Sequence, residues 1–212
     1  MKLELEEYED VLQFISEYQL SSEPLRMDLL IIKKDKGVSI NKNIAEIFLK
    51  DNIVEYKSPS DYVSIKDFYK VCAYAYLYAA QERDAAITDM TITVVVSRYP
   101  RKLLSYLQNV LRYKVEERQN GVYTVSGAIV PMQIVNSRKL SEKDNIWLKS
   151  LNNGIGSVDV WNIEEAAMRT KKKALVEAYI DVVLRANPNI LTEAYKMRRR
   201  APTLEEVVGQ SA

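Results

Sequence analysis

Apolar residues recur at helical spacing in two parts of the N-terminal half. Over residues 4–19 they stand every three to four positions with acidic residues between them, which predicts an amphipathic helix. Ser64 and Asp67 form a capping-box pattern, in which each side chain bonds a backbone N–H at the start of a helix. We therefore predict a second helix over residues 65–82, followed by a third that opens at Pro100.

Apolar or β-branched runs between turn residues predict buried strands. They cover residues 27–32, 53–57 and 91–96, and shorter strands with a turn at Asn120-Gly121 fill residues 110–136. Residues 44–49 fit either a strand or a short helix. This order of elements predicts an α/β or α+β fold.

The pattern becomes purely helical from about residue 141. Asn162 could cap a helix that runs to about residue 185, and Pro188 could begin another. The sequence Asn152-Asn153-Gly154-Ile155-Gly156 is typical of a loop between domains. We therefore predict an α/β domain over residues 1–150 and a C-terminal helical extension over residues 151–212.

The composition excludes several classes of enzyme. The 212 residues contain no histidine and a single cysteine. Ser-His-Asp and Cys-His catalytic systems, zinc sites built on histidine and nucleases with a histidine base are therefore excluded. Chemistry based on carboxylates, lysine, tyrosine and a divalent cation held by oxygen ligands remains, which points to magnesium-type sites.

Charge and hydropathy predict no membrane partner. The 30 basic and 29 acidic side chains give a net charge of +1, which predicts no strong nonspecific attraction to nucleic acid or anionic membranes. The acidic N-terminal segment lacks the apolar core of a signal peptide. The longest apolar run, residues 71–80, is about half the length of a transmembrane helix. We therefore expect a cytoplasmic protein.

Three charged residues interrupt the predicted apolar strands. Asp28 lies near the start of the first strand, where a buried carboxylate is costly unless it is paired, solvated or bound to a metal. Glu55 and Lys57 are two residues apart on the second strand, so their side chains leave from one face. If Val54 and Tyr56 pack on the core, Glu55 and Lys57 face a shared cleft, and an adjacent strand could bring Asp28 alongside.

These residues suit a hard cation. The carboxylates of Asp28 and Glu55, with the backbone carbonyl of Tyr56, would form an oxygen-rich site for Mg²⁺ or Mn²⁺. The Lys57 ammonium could position a water or help to deprotonate it, which is the machinery for hydrolysing a phosphodiester. The alternative is a same-face ion pair between Glu55 and Lys57 that contributes little to stability.

An Asp followed at a distance by Glu-x-Lys on a β-strand resembles the PD-(D/E)XK nuclease superfamily. The flanking segments Asn52–Pro59 and Asp67–Tyr74 resemble bacterial, transposase-type nuclease-like proteins of unassigned function. The resemblance covers roughly residues 5–97 and implies a restriction-endonuclease-like core with a mixed sheet flanked by helices. Its α-β-β-β-α-β order would require residues 44–49 to supply the third strand.

By this resemblance Asp28 and Glu55 bind the metal, and Lys57 is the catalytic lysine. One branch of the superfamily carries Gln-x-x-x-Tyr on the helix after the catalytic strand. Lys70 and Tyr74 have that spacing here, so a lysine replaces the glutamine and could meet DNA phosphate. The alternative is that Tyr74 packs at the edge of the core.

The resemblance implies a Mg²⁺-dependent DNA endonuclease or related phosphodiesterase. The same fold could instead bind nucleic acid or protein without hydrolysing either. The helical extension could also serve as a partner-binding or dimerising arm, which leaves a homodimer open.

Overall fold

The computed structural model describes residues 1–16 and 29–189. The strands are Leu12–Ser16 (β1), Leu29–Lys34 (β2), Asp51–Tyr56 (β3), Met90–Val96 (β4), Lys114–Gln119 (β5), Val122–Ser126 (β6) and Met132–Asn136 (β7). The α-helices are Ile65–Gln81 (α1), Arg101–Asn109 (α2), Glu142–Lys149 (α3), Ser157–Arg169 (α4) and Lys173–Ala186 (α5). The predicted α/β class, with a mixed sheet flanked by helices, is therefore confirmed; the restriction-endonuclease-like core stays a prediction.

The described strands form one seven-stranded sheet in the order β1-β2-β3-β4-β7-β6-β5. Strands β1, β2 and β3 make an antiparallel meander, and α1 then carries the chain to β4, which is parallel to β3. Strand β7 is parallel to β4, and β6 and β5 continue antiparallel. The carboxyl ends of β3, β4 and β7 therefore meet at one edge of the sheet.

Helices α1 and α2 share one core with the sheet. Every residue of β4 is buried, as its continuous apolar and β-branched sequence predicts. Ile53 of β3 and Ile92 of β4 pack in a cluster with Phe68 and Val71 of α1 and Leu103 of α2. The amino end of α1 is thereby fixed beside the carboxyl end of β3.

The capping box at the start of α1 is confirmed. Ser64 Oγ accepts the Asp67 N–H at 3.2 Å, and Asp67 Oδ2 accepts the Ser64 N–H at 2.7 Å. The predicted opening of α2 is also confirmed, because Pro100 occupies the position directly before Arg101.

The helix predicted over residues 4–19 is wrong. A 3-10 helix over Glu6–Val11 precedes β1, and Leu12 lies opposite Lys34 of β2. Pairing with a neighbouring strand has outweighed the local helical periodicity. Residues 44–49 supply no strand either, since the segment begins with a 3-10 turn over Asn43–Ala45 and the third strand of the meander is β3.

The long helix predicted to begin at Asn162 and run to about residue 185 is two helices. Helix α4 begins at Ser157, where the Asp159 carboxylate accepts the Gly156 N–H. It ends before Thr170, and α5 starts at Lys173. Most of the helix predicted from Pro188, like Asp28, lies outside the described residues.

The chain divides into two compact units, Met1–Lys149 and a second that starts at Ser150. In the first unit, buried Glu4 accepts the Leu148 N–H at 2.8 Å, which ties the N-terminal segment to α3. The nuclease-like character of this unit remains a prediction. Within the described ranges, no helix has the length and apolar character needed to cross a membrane.

Candidate functional site

One charged cluster lies between the carboxyl end of β3 and the amino end of α1. Lys57 Nζ lies 2.8 Å from Glu55 Oε1 and 2.9 Å from Asp67 Oδ1. The side chains of Glu55, Lys57 and Asp67 are 15%, 18% and 25% exposed. The Lys57 ammonium is therefore held between two largely shielded carboxylates.

The alternation of side chains along β3 explains the place of Glu55. Ile53 and Glu55 leave from one face, and Ile53 is packed in the core beneath α1. Val54 and Tyr56 leave from the other face, where Val54 is buried and burial raises the pKa of Tyr56 to about 12. Both faces of β3 are thus covered, and Glu55 stands where the core beneath α1 ends.

The electrostatics of this cluster keep both Lys57 and Asp67 charged. Burial alone would raise the pKa of Asp67, but hydrogen bonds from Ser64 and Lys57 lower that pKa to about 2. Burial would likewise lower the pKa of Lys57, yet its bonds to Glu55 and Asp67 raise it above the usual lysine value. Lys57 is therefore a cation and hydrogen-bond donor at neutral pH, and it cannot serve there as a general base.

Lys70 and Tyr74 lie on α1 beside this cluster. Lys70 Nζ is 5.5 Å from the centroid of the Tyr74 ring. Interaction with Tyr74 and, more weakly, the negative charge of Glu55 raise the pKa of Lys70. The Tyr74 ring is 6% exposed and packs in the core, whereas Lys70 is exposed. This arrangement favours the packing alternative for Tyr74 and leaves Lys70 as the member that solvent or a ligand can reach.

The described residues supply part of the predicted metal site. Glu55 lies opposite Leu29 in the β2–β3 register, and Asp28, which precedes Leu29 in the sequence, is outside the described residues. Among residues 1–16 and 29–189, no group of three or more acidic or cysteine side chains could hold a metal ion.

The donor chemistry of Glu55 suits a hard cation. Its Oε1 is paired with Lys57, and the structure gives Oε2 no partner within the described ranges. The two oxygens of Asp67, in contrast, are already engaged by Lys57 and Ser64. Glu55 is therefore the carboxylate of this cluster that could ligate Mg²⁺ or Mn²⁺.

Sequence reasoning identified Asp67 as a helix cap and missed its contact with Lys57. Residue spacing offers no signal for this contact, because a loop of eight residues separates the end of β3 from the start of α1. The bond to Lys57 makes Asp67 a positioning residue for the predicted catalytic lysine.

Comparison of the chain with protein-family models, with curated proteins and with solved structures finds no match. The resemblance to PD-(D/E)XK nucleases therefore stays a prediction.

Proposed function

We propose that this chain is a metal-dependent nuclease that hydrolyses DNA phosphodiester bonds. The observation that carries the proposal is the Glu55–Lys57 pair at the carboxyl end of β3, opposite Leu29 of β2. A shielded carboxylate beside an obligate cation is the pairing needed to hold a metal ion and to stabilise charge on a phosphate.

The topology supports the same proposal. An antiparallel meander, a helical crossover and a parallel fourth strand follow one another from β1 to β4. This agrees with the β-β-β-α-β part of the order that the resemblance implies. Ligands of open α/β sheets bind outside the carboxyl ends of parallel strands, which is where Glu55 and Lys57 lie.

Each residue of the site would have a separate role. Asp28, Glu55 and the Tyr56 carbonyl would hold Mg²⁺ or Mn²⁺, which when bound supplies Lewis-acid stabilisation of charge on the phosphate. Protonated Lys57 donates hydrogen bonds to a phosphate oxygen or to the attacking water. Asp67 fixes the Lys57 ammonium at 2.9 Å, and exposed Lys70 contacts a neighbouring phosphate.

The second candidate is a module with the same fold that binds nucleic acid or protein without hydrolysis. Its supporting observation is that Lys57 already has two carboxylate partners, which is also the arrangement of a stabilising ion-pair network. Both proposals include a cytoplasmic location, and both leave a homodimer open.

Assays of cleavage of single-stranded, duplex and branched DNA in Mg²⁺ or Mn²⁺ distinguish the nuclease from the binding module. Lys57→Ala should lower the cleavage rate by about 10²–10³-fold, because it removes a preorganised donor. The matched control is Lys114→Ala, which breaks the Lys114–Glu116 pair of the same two-residue spacing on β5 and should leave cleavage unchanged. Wild-type cleavage that Lys57→Ala retains in full, in a folded variant, contradicts the proposal. DNA binding by a wild type that cleaves none of these substrates supports the module.

A further inference from the structure

Exposed tyrosine rings and cations meet at the carboxyl ends of β4 and β7. The tyrosine–cation surface, as we call it, consists of Tyr62, Arg98, Tyr99, Tyr123 and Lys139. Arg98 and Tyr99 are consecutive residues just after β4, and Lys139 follows β7 by three residues. Tyr62 lies in the loop between β3 and α1. Tyr123 lies in β6, so the five residues come from four separate segments of the first unit.

The members of the tyrosine–cation surface form two groups of contacts, which the consecutive residues Arg98 and Tyr99 connect along the chain. The Arg98 guanidinium carbon is 5.1 Å from the centroid of the Tyr62 ring. Lys139 Nζ is 5.4 Å from the Tyr99 centroid and 5.5 Å from the Tyr123 centroid. The Tyr99 and Tyr123 rings meet edge to face with their centroids 5.7 Å apart. These contacts place a cation beside each of the three tyrosine rings.

Two of these rings remain open to solvent in spite of the contacts. Tyr62 is 66% exposed and Tyr99 is 45% exposed, whereas Tyr123 is buried. A buried ring contributes to stability through the area it removes from water, and an exposed ring forgoes that gain. Flat apolar faces held in place beside cations are the feature on which nucleic-acid bases stack.

The charge around the exposed rings is predominantly positive. Arg98 contacts the Tyr62 ring and, among the described residues, no carboxylate. Helix α2 begins directly after Pro100 with exposed Arg101 and Lys102 and has no acidic residue in its first turn. Cations at the positive end of a helix dipole are unfavourable unless an anion compensates them.

Two acidic residues offset this charge in part, namely exposed Asp61, which directly precedes Tyr62, and Glu117. Glu117 Oε1 lies 3.6 Å from Lys139 Nζ and also accepts the Gly121 N–H at 3.0 Å. Lys139 in turn donates to the Tyr123 hydroxyl at 2.8 Å. Within the described ranges Arg98, Arg101 and Lys102 form no ion pair, and their positive charge fits a polyanion.

The tyrosine–cation surface lies at the same edge of the sheet as the Glu55–Lys57 pair. The Lys57 N–H donates to the Val95 carbonyl at 2.9 Å, and Arg98 follows Val95 by three residues. A polymer on this surface would therefore pass close to the proposed hydrolytic site.

We propose that the tyrosine–cation surface binds single-stranded nucleic acid, with bases stacked on Tyr99 and Tyr62 and phosphates beside Arg98 and Lys139. The inference rests on the proposed function, which supplies nucleic acid as the ligand. It adds that the strand is unpaired and names the residues that bind it. In a duplex the base faces are covered by their neighbours in the stack, so tyrosine rings cannot reach them. Unpaired strands offer both the faces and the phosphates.

The test measures the binding of fluorescent oligothymidine and oligouridine, and of a duplex of equal length, by anisotropy in EDTA. Tyr99→Ala should weaken single-strand binding roughly 5- to 100-fold, since stacking on one ring is lost. Tyr99→Phe should bind as the wild type does, because it keeps the ring. Tyr76→Ala is the matched control, since Tyr76 is 44% exposed on α1 outside this surface and should leave binding unchanged.

The salt dependence separates a phosphate contact from a loss of folding. Arg98→Gln should reduce the slope of log affinity against log salt by about 0.7, because one fewer phosphate is neutralised on a single strand. Binding of either unpaired polymer that depends on Tyr99 in this way supports the inference. Equal or tighter binding of duplex, or a folded Tyr99→Ala protein that binds as the wild type does, overturns it.

The experiment also distinguishes this inference from the proposed function, because no hydrolysis occurs in EDTA. A chain that binds through Tyr99 but cleaves nothing in Mg²⁺ or Mn²⁺ removes the proposed hydrolysis and leaves the inference standing. Cleavage that depends on Lys57, together with binding that Tyr99→Ala does not change, supports the proposed function and overturns the inference.

Discussion

Asp67 combines two tasks that are usually given to different residues. One of its oxygens accepts the Ser64 N–H and hydroxyl and so caps α1, while the other accepts from Lys57. These bonds outweigh the effect of burial and lower the pKa of Asp67 to about 2. The helix cap and the orientation of the predicted catalytic lysine therefore depend on the same negative charge.

Replacing Asp67 should destabilise the fold in a manner that depends on pH. Asp67→Ala should cost about 1–2 kcal/mol at pH 7, since a cap and a charge-assisted bond are lost together. The folded-state pKa lies below the ordinary value of 3.8, so the stabilisation is fully present above about pH 4. It is lost as the pH falls toward about 2.

Urea unfolding of wild type and Asp67→Ala between pH 7 and pH 3 measures this difference. The exposed Asp89→Ala serves as the control and should stay within about 0.5 kcal/mol of wild type at each pH. A gap between wild type and Asp67→Ala that is constant over this range would show that the Asp67 charge is not responsible.

The β5–β6 hairpin depends on a glycine for two separate reasons. Gly121 has a φ of +83°, and a Cβ there would lie 2.7 Å from the Asn136 carbonyl oxygen and 2.9 Å from Lys139 Cβ. The Asn136 N–H also donates to the Gly121 carbonyl at 2.7 Å. The turn is thus packed against the end of β7, which carries Lys139 to its place beside Tyr99.

Gly121→Ala should therefore destabilise the protein more than a positive φ alone requires. Gly37 has the same φ of +83° with nothing within 4 Å of a would-be Cβ, so Gly37→Ala isolates the conformational cost of about 1 kcal/mol. Gly121→Ala should cost about 2–4 kcal/mol, because close contact with backbone is added. Thermal unfolding of the two variants compares them, and equal losses would refute the packing role.

The sequence predicted those elements whose local and tertiary preferences agree. Strand β4 is buried along its whole length, and α1 carries its own capping box, so both were recognised from the pattern. The pattern does not predict strand β1, because its pairing partners in β2 lie 14 to 22 residues further along the chain and local periodicity does not reveal them. The break between α4 and α5 lies in the polar run of residues 169–173, which contains no glycine or proline to mark the end of a helix.

The sequence also predicts one part of the candidate site and leaves another part open. The period of two along a strand places Glu55 and Lys57 on one face, and the ion pair at 2.8 Å follows from it. The contact of Asp67 with Lys57, and the meeting of Tyr99 with Lys139, depend on where a helix and a distant strand are packed. Such contacts are set by tertiary structure, so residue spacing alone does not predict them.

The order of the strands in the sheet determines where positive charge collects, and the net charge does not reveal this. A net charge of +1 suggests an indifferent surface, yet the parallel arrangement of β3, β4 and β7 gathers Lys57, Arg98 and Lys139 at one edge. This edge also carries Glu55, the shielded carboxylate that could ligate a metal. We therefore propose that the carboxyl edge of the sheet is a metal-dependent site for nucleic acid.

Calorimetric titration of Mn²⁺ and Mg²⁺ tests this proposal, with a non-cleavable phosphorothioate oligonucleotide present to complete the coordination of the metal. Wild type should bind metal, Glu55→Gln should lose at least about tenfold in affinity, and Glu116→Gln, which alters the matched pair on β5, should bind as wild type does. Equal metal binding by all three folded proteins, or none by the wild type, would contradict a metal site at Glu55.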